Sequence, residues 1–234
     1  MALKPEQTAD RTLIEMVAAG IAHEVRNPLN ALQINVGILE QELAELVPDH
    51  NAHVHSVLAK IANELTSLDN FVSEFLRYAR PPRLKLEAVN IRPLLNDLAM
   101  FISPECAKKG VGLGLSLDAG PVVVTADNFQ LKHAVLNLVL NALQATPPGG
   151  QITLTTGGDR ERLTITVGDT GEGIPEDVLA CVWEVFFTRR EGGTGLGLPI
   201  ARRIIEEHGG EVSLTSRVGH GTAATIRLPT RIGG

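Results

Sequence analysis

Apolar side chains recur at Ala18, Ile21, Val25, Pro28, Leu32, Val36, Leu39, Leu43 and Leu46, in alternating steps of three and four. That period lines them along one stripe and predicts a long amphipathic helix from about Leu13 to Leu46. A second stripe, Val54, Leu58, Ile61, Leu65, Leu68, Val72, Phe75 and Ala79, repeats the pattern. The segment VPDHN between them supplies a proline and turn formers, so the two helices are expected to fold back as an antiparallel hairpin. A lone hairpin leaves its apolar stripe uncovered, and two copies packed as a four-helix bundle cover it. The pattern therefore predicts a homodimer.

Arg80-Pro81-Pro82-Arg83 ends the second helix, because proline cannot continue it and disfavours helix at the residue before. Beyond this point the period changes. VNIRPLLNDLAMFISPECAKKG reads as a short strand running into a helix, VGLGLSLD and PVVVTAD as strands, and DNFQLKHAVLNLVLNALQAT as a helix. QITLTTGG and RLTITVGD read as an antiparallel pair, LPIARRIIEEHGG as a helix closed by glycine, and EVSLTSR and TAATIRLP as the last strands. Strands and helices in this order predict an α/β sandwich, with helices on one face of a mostly antiparallel sheet. The expected division is a helical hairpin over 1–80, a linker over 81–88 and a second domain over 89–234.

The 234 residues, 44% of them hydrophobic, suffice for one good core and a second element completed by oligomerisation. A net charge of −6 and an aromatic content of 3% argue against a nucleic-acid partner, which calls for a basic face and stacking platforms. Cys106 and Cys181, the two cysteines, are too few for a disulfide framework or a four-thiolate zinc site and fit a reducing compartment. No run approaches the roughly 18 consecutive apolar residues of a membrane span, and the start MALKPEQTAD lacks a signal-peptide apolar region. The expected location is the cytoplasm, with no membrane segment in the chain.

Four clusters carry candidate chemistry. In His23-Glu24-Val25-Arg26-Asn27-Pro28, His23 falls between the stripe positions Ile21 and Val25 and is turned to solvent. Glu24 can accept a hydrogen bond from one ring nitrogen and leave the other as a nucleophilic lone pair. Pro28 inside a helix costs about 3 kcal/mol, a cost that hints at function. An HExxH zinc site is excluded because Asn27 stands where the second histidine is needed. Alone, a His-Glu pair is ordinary for a coiled-coil surface. The second cluster is Asn137 and Asn141, four apart on one helical face among apolar residues. Either the Asn141 oxygen serves a hard cation such as Mg²⁺, which takes few protein ligands, or both amides bond neighbouring backbone. The third, Asp169-Thr170-Gly171-Glu172-Gly173-Ile174-Pro175, follows an apolar strand. It suits either a carboxylate accepting from the exocyclic amine of a flat ligand or a plain glycine-rich turn. The fourth, Gly192-Gly193-Thr194-Gly195-Leu196-Gly197-Leu198-Pro199, opens a helix and bares backbone N–H groups toward a phosphate. It matches neither the dinucleotide fingerprint nor a P-loop, and a flexible linker is its bland alternative. Gly219-His220-Gly221-Thr222 leads into the last strand, where the Thr222 hydroxyl can help hold a base.

In order and spacing these motifs resemble the sensor histidine kinases of two-component systems and, more widely, the ATPase family shared with gyrase, the Hsp90 chaperones and MutL. HEVRNP resembles the phospho-acceptor H box, LNLVLNALQAT the N box, DTGEGIP the G1 box, EVFFTRR the F box and GGTGLGL the G2 box. The resemblance spans nearly the whole chain. It implies an α+β protein: a helical-hairpin dimerisation domain, paired as a four-helix bundle, followed by an α/β sandwich that binds ATP. It further implies an ATP-dependent kinase that phosphorylates His23 and hands the group to an aspartate of a response regulator receiver domain. In that scheme Glu24 activates His23, and Asn27 positions water when the partner is dephosphorylated. Asn141 holds Mg²⁺ with Asn137 nearby, and Asp169 takes the adenine amine, supported by Gly171, Gly173 and Thr222. Gly193, Thr194, Gly195, Leu196 and Gly197 form part of the lid over the phosphates.

Three features depart from the common pattern. Gln144 stands where many members carry a cation, so phosphate contact is expected from Arg189, Arg190 or Lys132, with Arg190 chosen here. The segment Phe187 to Gly193 is short, like the compact lids of the nitrogen-regulatory type. No recognisable sensor precedes the hairpin. The alternatives are a phosphatase-dominant protein and a phosphotransfer scaffold with a weakly active ATP domain. Trp183 and Phe186 are expected to pack beneath the lid, and His50, His53 and His55 to sit in a solvated turn.

Overall fold

The computed structural model describes residues 29–30, 32–39, 41, 52–79, 83–117, 123–159, 161–190 and 193–230. The chain divides into two compact units, Met1–Pro82 and Arg83–Gly234. His23, Glu24 and Asn27, and the side chains of His50, His53 and His55, lie outside the described residues.

In the first unit, helix α1 is helical at every described position between 29 and 41, and helix α2 spans Ala52–Ala79. Leu29 and Val36 of α1 are buried against Leu58, Leu65 and Val72 of α2, with Val54, Ala62, Phe71 and Leu76 around them. These buried positions repeat every seven residues. Leu32 and Leu39 on α1, and Ile61 and Leu68 on α2, repeat at the same interval but remain 43–50% exposed. The single stripe read from the sequence is thus two seams, one closed within the chain and one open.

The second unit begins with strand β1 (Glu87–Asn90) and helix α3 (Ile91–Lys109). Asn90 caps α3 by accepting from the Arg92 N–H, and Gly110 ends it in the left-handed conformation at φ 70°. Strands β2 (Gly112–Ser116) and β3 (Val123–Ala126) lead to helix α4 (Asn128–Ala145). Strands β4 (Gln151–Gly158) and β5 (Arg162–Asp169), the short helix α5 (Glu176–Leu179), helix α6 (Gly197–Glu207), and strands β6 (Glu211–Arg217) and β7 (Gly221–Pro229) complete it.

The main sheet has the order β2-β4-β5-β7-β6, antiparallel throughout except for the parallel β2–β4 pair. A separate two-stranded sheet, β1 with β3, was not foreseen. Alternation makes the main sheet one-sided. Ile152 and Leu154, then Leu163, Ile165 and Val167, then Ala224, Ile226 and Leu228 are buried. The intervening positions on its other face carry threonines, among them Thr166 and Thr225, whose hydroxyls lie 3.4 Å apart. The buried residues meet an apolar layer from α3, α4 and α6, which buries Leu94, Leu95, Leu98, Leu131, Val135, Leu138, Ile200, Ile204 and Ile205. This is the sandwich predicted.

One polar cluster lies inside it. Asp127 caps α4 by accepting from Gln130 N–H with Oδ1, while Oδ2 accepts from the Lys85 N–H at 2.8 Å. Burial pushes the Asp127 carboxyl up, but these amide donors outweigh it and leave it below its ordinary value. The Asp127 N–H in turn donates to Nε2 of His208, whose Nδ1 lies 2.7 Å from the Ile204 carbonyl. An acceptor at Nε2 and a carbonyl at Nδ1 fix the Nδ1–H tautomer. His208 thereby joins the end of α6 to the start of α4. Lys85 and Glu87, counted with the linker by sequence, already belong to this unit.

Candidate functional site

Helix α4 presents the two asparagines near its C-terminal end. Asn137 is 6% exposed, and its Nδ2 is the one buried side-chain polar atom without a hydrogen-bond partner among the described residues. Asn141 is partly exposed and donates from Nδ2 to the Asn137 carbonyl at 2.9 Å. That bond uses the amide nitrogen of Asn141 on backbone and leaves its oxygen out of the contact. Of the two amides, the one on Asn141 bonds neighbouring backbone, whereas Asn137 Nδ2 does not.

Strand β5 ends at Asp169, one step beyond the core-facing series Leu163, Ile165, Val167. Its Oδ1 accepts from the N–H groups of Gly171 at 2.8 Å and Thr222 at 3.1 Å. Burial pushes the Asp169 carboxyl above its ordinary value, against the pull of those two amides and of Arg190. Gly171 is buried where an added Cβ would come within 2.5 Å of the Ala145 carbonyl oxygen, so the loop lies directly on the last turn of α4. Gly173 has φ 71°, and a Cβ there would collide with the Arg217 carbonyl. Only glycine lets the two segments approach this closely.

Sequence reasoning missed Ser216. Its Oγ accepts from the Ile174 N–H at 2.8 Å and lies 3.0 Å from the Gly221 carbonyl and 2.8 Å from the Thr222 hydroxyl. Counting back across the glycine turn from Thr222 would have found it, since Ser216 is its direct partner in the β6–β7 register.

The glycine-rich segment closes the other side. Phe186 adopts φ 67° and its N–H donates to the Gly195 carbonyl at 3.1 Å, while Gly195 sits at φ 65°. Phe186 is 52% exposed, contrary to the expectation that it packs beneath a lid; Trp183 instead lies under the Arg202 guanidinium, 5.7 Å from its ring centre. The Thr188 hydroxyl accepts from the Arg190 N–H, and a Cβ on Gly193 would press within 2.5 Å of it. Thr194 Oγ1 accepts from the Leu196 N–H at 3.3 Å. Leu196 is fully buried, so its side chain anchors the segment in the core. Gly197, the first residue of α6, would bring a Cβ to 3.4 Å from Asn141 Nδ2. The opening of α6 and the Asn141 amide are thus neighbours.

Arg190 crosses to α4, where Nη1 donates to Gln144 Oε1 at 2.9 Å and lies 3.5 Å from the Asn141 carbonyl. Its Nη2 is 4.0 Å from Glu172. Of the three cations considered, Arg190 is seen beside Gln144. Printed contacts aside, no wider enclosure is needed to relate these groups: hydrogen bonds and close approaches link Asp169 to Gly171 and Thr222, the loop at Gly171 to the last turn of α4, Arg190 to Gln144, Asn141 and Glu172, and Gly197 to Asn141.

Residues 14–83 match the His kinase A (phospho-acceptor) domain, and residues 126–232 match the histidine kinase-, DNA gyrase B- and HSP90-like ATPase family. The chain belongs to the histidine kinase family. Sensor histidine kinase ZraS of Escherichia coli (strain K12) is 34% identical over 216 residues, 92% of this chain and 45% of the relative. Among solved structures, full-length ShkA in complex with AMPPNP superposes with a TM-score of 0.78 at 26% identity, over 99% of this chain and 47% of that one. Histidine kinase ThkA in complex with the response regulator protein TrrA gives a TM-score of 0.70 at 26% identity, over 96% of this chain and 65% of that one. The chain spans less than half the length of ZraS. Between the two matched spans, β1, α3, β2 and β3 belong structurally to the ATPase unit of this histidine kinase chain. No helix among the described residues is long and apolar enough to cross a membrane.

Proposed function

We propose that this chain is an ATP-dependent protein histidine kinase of the cytoplasm, which phosphorylates His23 and passes the phosphoryl group to an aspartate of a response regulator receiver domain. The observation that carries this reading is that the loop after the partly buried Asp169 lies on Ala145 at the end of α4, one turn beyond Asn141, which itself neighbours the opening of α6. ShkA was solved with AMPPNP and ThkA with a response regulator, which supports the same assignment here.

Asp169 accepts the adenine amine, and Gly171 and Gly173 let backbone lie close to the base. Thr222 flanks it. The phosphates run toward Asn137, Asn141 and the backbone from Gly193 to Gly197, where Arg190 supplies positive charge from a compact lid of the nitrogen-regulatory type. Among the described residues no group of three or more His, Cys, Asp or Glu can hold a metal, so a cation here must accept few protein ligands. Mg²⁺ does so, and the Asn141 oxygen fits it; when bound it neutralises the phosphate charge.

The reaction needs alignment more than covalent help from the protein. A ring nitrogen of His23 attacks the γ-phosphorus, the bond to the β–γ bridging oxygen breaks, and ADP leaves. Glu24 accepts the hydrogen bond from the other ring nitrogen and stabilises the charge that grows on the imidazole. Asn27 orients the water that removes phosphate from the partner. The working division is 1–80 for dimerisation and phosphotransfer, 81–88 as connection and 89–234 for catalysis. The open seam of Leu32, Leu39, Ile61 and Leu68 supports a homodimer. The intact nucleotide site does not favour a scaffold with an inactive ATP domain.

The test is incubation with γ-labelled ATP and Mg²⁺ followed by addition of a receiver domain. Acid-labile label on the chain that then passes to the receiver domain is the expected result. ATP binding with no label on the protein contradicts the kinase reading.

A further inference from the structure

Three polar side chains occupy the same level at one end of three adjacent strands. Asp169 follows Val167 on β5, Thr222 precedes Ala224 on β7, and Ser216 follows Leu214 on β6, each in phase with the core-facing positions of its strand. All three are partly exposed, whereas Val167 and Ala224 beside them on β5 and β7 are buried. Asp169 and Thr222 are assigned above, whereas Ser216 has no role in that assignment.

We propose that Ser216 determines base selectivity by fixing the Thr222 hydroxyl as a hydrogen-bond acceptor toward the ligand. The argument is one of proton count. A serine hydroxyl has one proton and two lone pairs. The Ile174 N–H donates to Ser216 Oγ at 2.8 Å and occupies one lone pair. The Gly221 carbonyl, 3.0 Å away, can only accept, so it takes the serine proton. The remaining contact, 2.8 Å to Thr222 Oγ1, must then be filled by the threonine proton entering the second lone pair of Ser216. This arrangement satisfies every contact and uses the full capacity of Ser216. It leaves Thr222 with lone pairs and no proton to offer.

Thr222 Oγ1 and the Asp169 carboxylate are therefore both acceptors, on residues tied to each other by the Thr222 N–H bond to Asp169 Oδ1. A 6-amino purine brings two N–H donors to such a pair. A 6-oxo purine brings an acceptor and leaves the site's own acceptors opposed, a mismatch that polar sites reject strongly. Without Ser216 the Thr222 proton is free to turn toward a 6-oxo group. Ser216 acts here as a positioning residue, working through Thr222.

This inference rests on the assignment of Asp169 and Thr222 to the base, and the experiment separates the two. Affinities of the full chain for ATP and ITP, which differ in the 6-amino and 6-oxo groups, are measured for wild type, Ser216→Ala and Ser216→Thr. Wild type is expected to prefer ATP, Ser216→Ala to narrow the ATP-to-ITP ratio by about tenfold, and Ser216→Thr to keep the wild-type ratio. Should the alanine variant melt, Ser216→Cys, close in volume but a weak acceptor, is expected to narrow the ratio in the same direction. Equal weakening of both nucleotides, with the ratio unchanged, overturns the selectivity role while leaving the adenine site standing. Failure of wild type to bind either nucleotide overturns the adenine site and this inference with it.

Discussion

Asp169 holds two backbone amides on a single oxygen, and both donors come from segments that only glycine geometry brings near. Replacing it with Asn removes the charge of an acceptor whose hydrogen bonds are worth about 1.5–3 kcal/mol, so Asp169→Asn is expected to weaken ATP binding roughly ten- to a hundredfold in calorimetry. The pH dependence has a definite sign. Because burial raises the Asp169 carboxyl, the fold favours its protonated form, and that contribution to stability is lost as pH rises through the raised value. Nucleotide binding runs the other way, since an amine needs the ionised acceptor. ATP affinity should therefore climb with pH through a step above the ordinary carboxylate range, and the step should be absent in Asp169→Asn. An affinity that is flat through that range removes Asp169 from the base contact.

Helices α4 and α6 frame the site and are tied together at the end remote from it. His208 at the close of α6 accepts the Asp127 N–H at the start of α4, and the opening of α6 packs beside Asn141 one turn from the end of α4. His208→Ala leaves the Asp127 N–H without a partner and opens a small cavity. It is expected to destabilise the ATPase unit by about 2–4 kcal/mol, read as a lower urea midpoint. An unshifted midpoint contradicts a stabilising clamp. Apart from the short α5, the helices and strands were legible from period, because that signal is local, as in the alternation along β4 and β5. The clamp was not, since Asp127 and His208 lie 81 residues apart. For the same reason the β1–β3 pair, the parallel β2–β4 register and the reach of Arg190 to Gln144 left no mark on any window of sequence. Within the site, glycine spacing revealed the loops around Asp169 and Gly195, while Ser216 emerged only from cross-strand register. Leu196 illustrates the converse, a motif residue whose side chain serves the core.

For the molecule as a whole, the open seam on the first unit is where the proposed homodimer would form. Leu32, Leu39, Ile61 and Leu68 recur at seven-residue spacing and stay 43–50% exposed, and in the proposed homodimer a second copy of the same seam would close a four-helix bundle. Charges placed at two of these positions, Ile61→Asp with Leu68→Asp, are expected to convert a dimer to a monomer in sedimentation equilibrium. A dimer that survives both changes places the interface elsewhere. The central claim, that the nucleotide unit serves the histidine of the hairpin, is tested most directly by comparing wild type with His23→Gln in γ-labelled ATP and Mg²⁺. The account predicts acid-labile label on wild type and none on the variant, with ATP affinity the same in both. Label that persists in His23→Gln, or a wild-type chain that binds ATP and never acquires label, contradicts it.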